Sequence, residues 1–131
     1  EDISSLSAIL LDDDYYDFLK QGRIKVAGVT VLDAPYLIPF KVKAWLDLSG
    51  RRDAGEHVDG RNIRKHKNDV FRLTQLLERN GEIFLSVPDT VLADMGAFSE
   101  RMKFEDVDLK QLGVFDKTRE EILDELRVLY R

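Results

Sequence analysis

Residues 36–48 read YLIPFKVKAWLDL and decide the fold, because they carry the single tryptophan of the sequence on an apolar stripe with helical spacing. At about 100° per residue, Lys41 projects into the centre of that stripe. The stripe consists of Leu37, Ala44, Trp45 and Leu48. An ammonium group among apolar side chains must reach a carboxylate, a phosphate or a cleft, unless its stem extends to solvent at the domain edge. Lys41 is therefore the first candidate functional residue, and we expect Trp45 to be buried.

The helix that contains this stripe is expected to begin at Asp33 and to end near Gly50. Asp33 is a suitable N-cap, and Pro35 is tolerated in the first turn because the N–H group that it lacks would have no helical partner there. Pro39 lies beyond the first turn, where it removes one backbone donor, and we expect it to kink the helix.

A second, longer helix is predicted over residues 61–79, ended by Asn80 and Gly81. Its apolar face consists of Ile63, Val70, Leu73 and Leu77. His66 projects onto that face and Asp69 lies at its margin. The pair fits two functional roles. In one, His66 is a general base that the Asp69 carboxylate orients; in the other, Asp69 is a metal ligand that His66 supports. The alternative, which we favour for His66, is a histidine that is simply part of the core.

The carboxylate of Asp69 needs a partner, because a charge beside buried leucines is costly. The two predicted helices flank a loop, so antiparallel packing is expected. We therefore predict that Lys41 and Asp69 lie on adjacent helices with their side chains facing one cleft.

Basic residues are concentrated around the end of the first helix and the start of the second. They are Arg51, Arg52, Arg61, Arg64, Lys65 and Lys67. Such a cluster fits the phosphates of a nucleotide or of RNA. We assign this phosphate-binding role to Arg51, Arg52, Arg64 and Lys67, with His66 as a supporting residue. Three interspersed carboxylates favour the alternative of an ordinary solvated face: Asp53, Glu56 and Asp59.

The N-terminal region is predicted to contain a small sheet. Residues 5–11, SLSAILL, are typical of a buried strand. Asp12 and its two neighbours fit the N-cap of a short helix that ends at Gly22, although the Asp-x-Asp spacing also fits a divalent cation. Residues 23–32, RIKVAGVTVL, form either a hairpin or one strand with a glycine bulge.

The C-terminal half is predicted to be mainly helical. Residues 82–87 fit a strand or a loop against the core, and an amphipathic helix follows over residues 88–102. A helical turn is expected over residues 108–113. Thr118 with Glu121 forms a capping box at the start of the last helix. The fold class is thus α+β, a single helix-dominated domain over residues 1–131 with a small N-terminal sheet.

Composition narrows the classes of function. The 131 residues contain no cysteine, which excludes disulfides and thiolate chemistry, and two histidines cannot build a histidine-rich metal centre. No apolar run is long enough for a membrane span, so we expect a cytoplasmic protein with no membrane partner. The net charge of −5 disfavours non-specific nucleic-acid binding through bulk charge. Because the sequence begins with Glu1 rather than Met, we also expect it to be part of a longer chain.

Two motifs carry a resemblance to a known family. Residues 36–48 place Ala44 three positions after Lys41, and residues 67–73 read KNDVFRL. Together with Arg51 and Arg52 they resemble the C-terminal half of nucleotidyltransferase-like proteins of the AbiEii type, which are associated with abortive infection and toxin–antitoxin systems. The resemblance spans about residues 29–80. In that family a Lys-x-x-Ala helix is followed by a helix with an Arg-Asp-aromatic-Asp-Leu motif.

The resemblance implies a Mg-dependent nucleotidyltransferase that moves a nucleotide from a nucleoside triphosphate to an unidentified acceptor, with RNA as one candidate. Lys41 would contact the triphosphate, and Asp69 would assist catalysis or hold the site. An antitoxin-like protein would be a partner. Asn68 replaces an arginine of the family motif and Arg72 its second aspartate.

The family's Gly-Ser and Asp-x-Asp elements, which bind phosphates and metals, are not found in this chain, and we assign no metal ligand. The second hypothesis is therefore a non-catalytic structural or partner-binding module that keeps the helical half of the fold.

Overall fold

The computed structural model describes residue 9, residues 11–77 and residues 84–131. Five helices and one two-stranded antiparallel sheet make up these parts of the chain, which confirms the helix-dominated α+β class. In chain order the elements are α1 (Asp13–Lys20), β1 (Arg23–Val26), β2 (Val29–Leu32), α2 (Ala34–Asp53), α3 (Gly60–Leu73), a 3₁₀ turn (Thr74–Leu76), α4 (Asp89–Arg101) and α5 (Arg119–Leu129).

Helix α2 is the centre of the fold and packs against α1, α3 and α4. Trp45 is fully buried, as predicted, and meets the ring of Phe98 edge to face at 5.5 Å between centroids. The buried face is broader than the predicted stripe, because helices cover α2 on several sides. Its fully buried members include Ile38 and Val42, whereas Leu37 is half-buried. Lys41 consequently lies at the margin of the buried face and not at its centre.

Pro39 lies inside α2, and the helix continues through it. A residue at this position would normally donate its backbone N–H to the carbonyl of Pro35, four residues earlier. That carbonyl instead accepts a hydrogen bond from the hydroxyl of Tyr130, which is almost completely buried. The donor that Pro39 lacks is therefore replaced by a side chain from the far end of the described chain.

Residues 23–32 form a hairpin and not a bulged single strand. Strands β1 and β2 pair with Val26 opposite Val29, so the loop contains two residues, Ala27 and Gly28. Both have positive φ, at 52° and 81°, as the type I′ turn of a two-residue hairpin requires. The predicted small N-terminal sheet is this hairpin.

The long helix is shorter than predicted. Helix α3 ends at Leu73, and the 3₁₀ turn follows, whereas the sequence predicted a helix to Arg79. At this end of α3 the hydroxyl of Thr74 donates to the carbonyl of Phe71 at 2.7 Å, a side-chain bond of the kind that weakens or bends a helix. Residues 78 and 79 lie outside the described residues.

The predicted strand over residues 5–11 is wrong where the structure describes it. Ile9 has helical conformation and Leu11 lies in a turn, because the N–H of Asp12 bonds to the carbonyl of Ile9 at 3.1 Å. The other residues of that prediction lie outside the described residues.

The predicted strand over residues 82–87 is reduced to an isolated parallel bridge between Leu85 and Tyr130. Its first two residues lie outside the described part. Hydrogen bonds from Leu85 N–H to Leu129 and from Val87 N–H to Arg131 extend this contact. The C-terminal residues are thereby attached to the segment that precedes α4.

The two C-terminal helices were predicted closely. Helix α5 begins with the capping box of Thr118 and Glu121, with both bonds present at 3.1 and 2.9 Å. The predicted turn after α4 is present: the N–H of Leu112 bonds to the carbonyls of Asp108 and Leu109 at 3.3 and 3.1 Å, and Gly113 follows with φ 82°. Together the helices enclose one hydrophobic core, to which α1 to α5 all contribute.

Candidate functional site

Lys41 and Asp69 form an ion pair between α2 and α3. The Lys41 Nζ lies 3.0 Å from Asp69 Oδ2, and the two side chains are 16% and 22% exposed. Of the alternatives that the sequence left open for Lys41, the structure shows a carboxylate partner, and the predicted placement of both residues on adjacent helices is confirmed. The catalytic role assigned to them stays a prediction.

Arg72 completes a cluster of three charges. Its Nη1 lies 3.4 Å from the other oxygen of Asp69, one helical turn away on α3. Asp69 therefore holds one cation from each helix, and the cluster carries a net charge of +1. The arginine side chain is 50% exposed, so the outer edge of the cluster is accessible to solvent.

The cluster can bind an anion through the hydrogen atoms that Asp69 does not use. A lysine ammonium has three donor hydrogens, and an arginine guanidinium has five. Each cation in the cluster gives one contact to Asp69. The carboxylate fixes the positions of both cations, and their remaining donors can bind phosphate oxygens.

A second lysine of α2 makes a similar contact on a different side of the helix. Lys43 Nζ lies 3.3 Å from Asp94 Oδ2 of α4, and it also lies 5.4 Å from the ring centroid of Tyr15. The Tyr15 hydroxyl donates to the same Asp94 oxygen at 2.7 Å. Burial, reinforced by this hydrogen bond, raises the pKa of Tyr15 far above its ordinary value. The network joins α1, α2 and α4.

Asp94 was not among the residues predicted from the sequence, although a signal was present. Val91, Met95 and Phe98 are buried on α4, and Asp94 has the spacing of that apolar face. A carboxylate on an apolar face needs a buried partner in the same way that Lys41 did. The helical periodicity that singled out Lys41 on α2 and Asp69 on α3 would have singled out Asp94 on α4.

The predicted phosphate-binding arginines lie away from the Lys41–Asp69 pair. Arg51 follows Lys41 by ten residues of α2, which places the two about 15 Å apart along the helix axis. Arg51 is paired with Asp47 at 3.4 Å, and Arg52 with Asp53 at 3.5 Å. Arg64 is exposed on the first turns of α3. These residues form a separate, largely neutralised surface near the loop between α2 and α3.

The same surface contains the N-cap of α3. The guanidinium of Arg61 and its backbone N–H both bond to Asp59, at 3.2 and 2.9 Å. These bonds hold the pKa of the Asp59 carboxyl below its ordinary value, with the side-chain bond from Arg61 as the main cause. Asp59 and Arg61 thus satisfy one another, as the alternative of a solvated charged face predicts.

Lys67 occupies a different environment from the one predicted. It is 6% exposed, and its Nζ donates to the backbone carbonyl of Asp106 at 2.7 Å and to Glu105 Oε1 at 3.2 Å. The ammonium holds the segment after α4 against α3. This placement argues against a phosphate contact, because the donors of Lys67 point to protein groups.

His66 is 4% exposed on the core side of α3, as the interpretation of a core histidine predicts. It lies one turn before Asp69, and its supporting role stays a prediction. Asp12 caps α1 by accepting from the N–H groups of Asp14 and Tyr15 at 3.0 and 3.3 Å. The helix-capping role predicted for Asp12 is therefore confirmed.

Two shallow depressions lie elsewhere on the described surface. One is lined by residues 106–110 and the other by Arg23, Ile24, Lys25 and Thr30. Neither includes Lys41 or Asp69, so the predicted cleft is not at either depression.

Comparison with protein-family models, with curated proteins and with solved structures finds no match for this chain. Among the described residues, no group of three or more histidine, aspartate or glutamate side chains has an arrangement that could hold a metal ion. In the same part of the chain no helix combines the length and hydropathy of a membrane span.

Proposed function

We propose that this chain supplies the triphosphate-binding lysine of a nucleotidyltransferase that acts in the cytoplasm, with Lys41, Asp69 and Arg72 as its site. The observation that carries the proposal is the Lys41–Asp69 ion pair, 3.0 Å long and partly buried, at the two positions where the motifs resemble the AbiEii type. The acceptor, for which RNA is one candidate, and an antitoxin-like partner belong to the same proposal.

Each residue has a distinct role in the proposal. Lys41 donates to the phosphate oxygens of a nucleoside triphosphate, and Asp69 positions its ammonium. Arg72 adds a second cation in place of the aspartate of the family motif. Phosphoryl-group chemistry depends mostly on positioning and on neutralising charge, which these side chains can provide. The described residues offer no magnesium site, so the proposal assigns the ion no ligand among them.

The proposal is tested by nuclear magnetic resonance titration of the chain with Mg-ATP. We expect shifts at Lys41, Asp69 and Arg72, with a dissociation constant on the order of millimolar. Binding should weaken as salt is added, because the contact is electrostatic and accessible. Inorganic triphosphate in a parallel titration separates recognition of the phosphates from recognition of the nucleoside.

Lys43 provides a matched control. Lys41→Met and Lys43→Met each remove one partly buried lysine of α2 and leave a carboxylate that keeps a second partner, Arg72 or Tyr15. Lys41→Met should weaken binding about tenfold, whereas Lys43→Met should leave it unchanged. Equal loss in both variants, or no shift at high nucleotide, would favour the non-catalytic module.

A further inference from the structure

The hairpin presents an apolar face that the described residues leave uncovered. Ile24 pairs with Val31 and Val26 with Val29, so all four side chains lie on one face. They are 41%, 40%, 55% and 61% exposed in that order. A two-stranded hairpin by itself is marginally stable in water, and strands gain stability when a further strand or layer is added.

Both outer edges of the hairpin have backbone groups that no other described strand pairs with. The turn at Ala27 and Gly28 makes Val26 and Val29 a hydrogen-bonded pair, and antiparallel pairs alternate along the strands. The N–H and C=O groups of Arg23 and Lys25 therefore point away from β2. On the opposite edge, those of Thr30 and Leu32 point away from β1.

The edge formed by β1 is cationic. The side chains of Arg23 and Lys25 lie on the face opposite to Ile24 and Val26, and no acidic residue lies within residues 23–32. Arg23 Nε makes one long bond of 3.4 Å to the carbonyl of Lys20, and Lys25 has no ion-pair partner among the described residues. Two cations on one edge of an acidic chain favour a partner with carboxylates.

The same charges disfavour a second copy of this chain as the occupant of β1. Antiparallel pairing of β1 with itself would set the cations of one copy against those of the other, and like charges directly opposite one another are destabilising. The apolar face, with four aliphatic side chains, amounts to a few hundred Å². This apolar area is smaller than the roughly 800 Å² that each partner buries in a standard interface. Stable binding at this face therefore needs backbone hydrogen bonds as well.

We propose that β1 is a site for strand addition, and that it binds an extended segment of another protein in which aliphatic and acidic residues alternate. The backbone of the segment pairs with Arg23 and Lys25, its carboxylates lie beside these two side chains, and its aliphatic residues extend the face of Ile24 and Val26. Alternate side chains of a strand point to opposite faces, so one segment satisfies both requirements. The proposal does not depend on the nucleotide site.

The test uses two synthetic seven-residue peptides with blocked ends, one alternating valine with glutamate and the other valine with lysine. Addition of the glutamate peptide to the isotope-labelled chain should slow amide hydrogen exchange at Arg23 and Lys25, because their outward N–H groups become bonded. Exchange at Thr30 and Leu32 should not change. The lysine peptide should not bind.

Charge reversal on the hairpin provides the matched pair of variants. Lys25→Glu should weaken binding of the glutamate peptide about fivefold and allow the lysine peptide to bind. Thr30→Glu places a carboxylate directly opposite Lys25 and should also weaken binding of the glutamate peptide, whereas the uncharged Thr30→Gln should have little effect on either peptide. Protection at Thr30 instead of Lys25, or equal binding of both peptides, would overturn the proposal.

Discussion

Trp45 fills the centre of the core, and its removal should be among the most costly single changes. Trp45→Ala is expected to lower the free energy of unfolding by about 3–5 kcal/mol, through lost burial and the cavity left behind. The indole Nε1 is buried without an acceptor among the described residues, so Trp45→Phe should cost much less. Urea denaturation measures both variants. A solvent-like tryptophan fluorescence maximum in the native protein would contradict the burial of this side chain.

Substitution of Lys67 tests whether this lysine stabilises the fold or binds phosphate. Lys67→Met removes charge-assisted bonds to Glu105 and to the Asp106 carbonyl, and should reduce stability by about 1.5–3 kcal/mol. Binding of Mg-ATP to the folded variant should stay the same. A variant of unchanged stability with weaker nucleotide binding would restore the phosphate role that the sequence predicted.

The residues differ in how well their sequence pattern predicts their partners. Lys41 and Asp69 both break an apolar pattern on neighbouring helices, so their pairing follows from the short loop between those helices. The partners of Lys67 belong to residues 105 and 106, in a segment without periodicity. Nothing in the local pattern indicates that contact, because it depends on the path of an irregular segment in three dimensions.

The side chain of Tyr36 in α2 leaves no space for a side chain at Gly22. A Cβ at this position would overlap Cγ of Tyr36, at the start of α2, so Gly22→Ala must displace the aromatic ring. We expect a loss of about 1–3 kcal/mol. Gly50→Ala is the control, because Gly50 lies within α2 with open space where a Cβ would project, and alanine there should stabilise the helix by about 0.5–1 kcal/mol. Thermal unfolding of both variants distinguishes the opposite signs.

The starts of the helices were easier to predict than their ends. Asp33 and Thr118 cap the helices that the sequence assigned to them, because an N-cap is a local side-chain contact. The end of α3 depends on Thr74 and on packing beyond it. The bridge between Leu85 and Tyr130 joins residues far apart in the sequence, and strand periodicity alone does not reveal such a partner.

Tyr130 connects the C-terminal end of the described chain to the start of α2. Tyr130→Phe keeps the buried ring but removes the hydroxyl that bonds to the Pro35 carbonyl. Pro39 supplies no N–H for that carbonyl, so the variant should lose about 1–3 kcal/mol of stability. Tyr16→Phe is the control, because that ring is 46% exposed and its hydroxyl has no hydrogen bond within the described structure. Equal stability of the two variants would contradict the assigned role of the Tyr130 hydroxyl.

At the scale of the molecule, hydrophobic periodicity and capping residues were sufficient to predict the α+β class and the order of most helices. The arrangement around α2 was not predictable in detail. Helices from both halves of the sequence cover this helix, so its buried face is wider than one stripe and includes Ile38 and Val42. Because the buried face of α2 is this wide, Lys41 lies at its margin, where the ammonium pairs with Asp69 and still reaches solvent.

The bond between Tyr130 and Pro35 also affects how the protein is made. The two residues are 95 positions apart. A ribosome adds about 5–20 residues per second, so the Pro35 carbonyl is synthesised roughly 5–19 s before its donor exists. During that interval α2 has a gap in its hydrogen bonding next to the future core. The Pro35 carbonyl therefore gains its protein donor only after residue 130 has been synthesised.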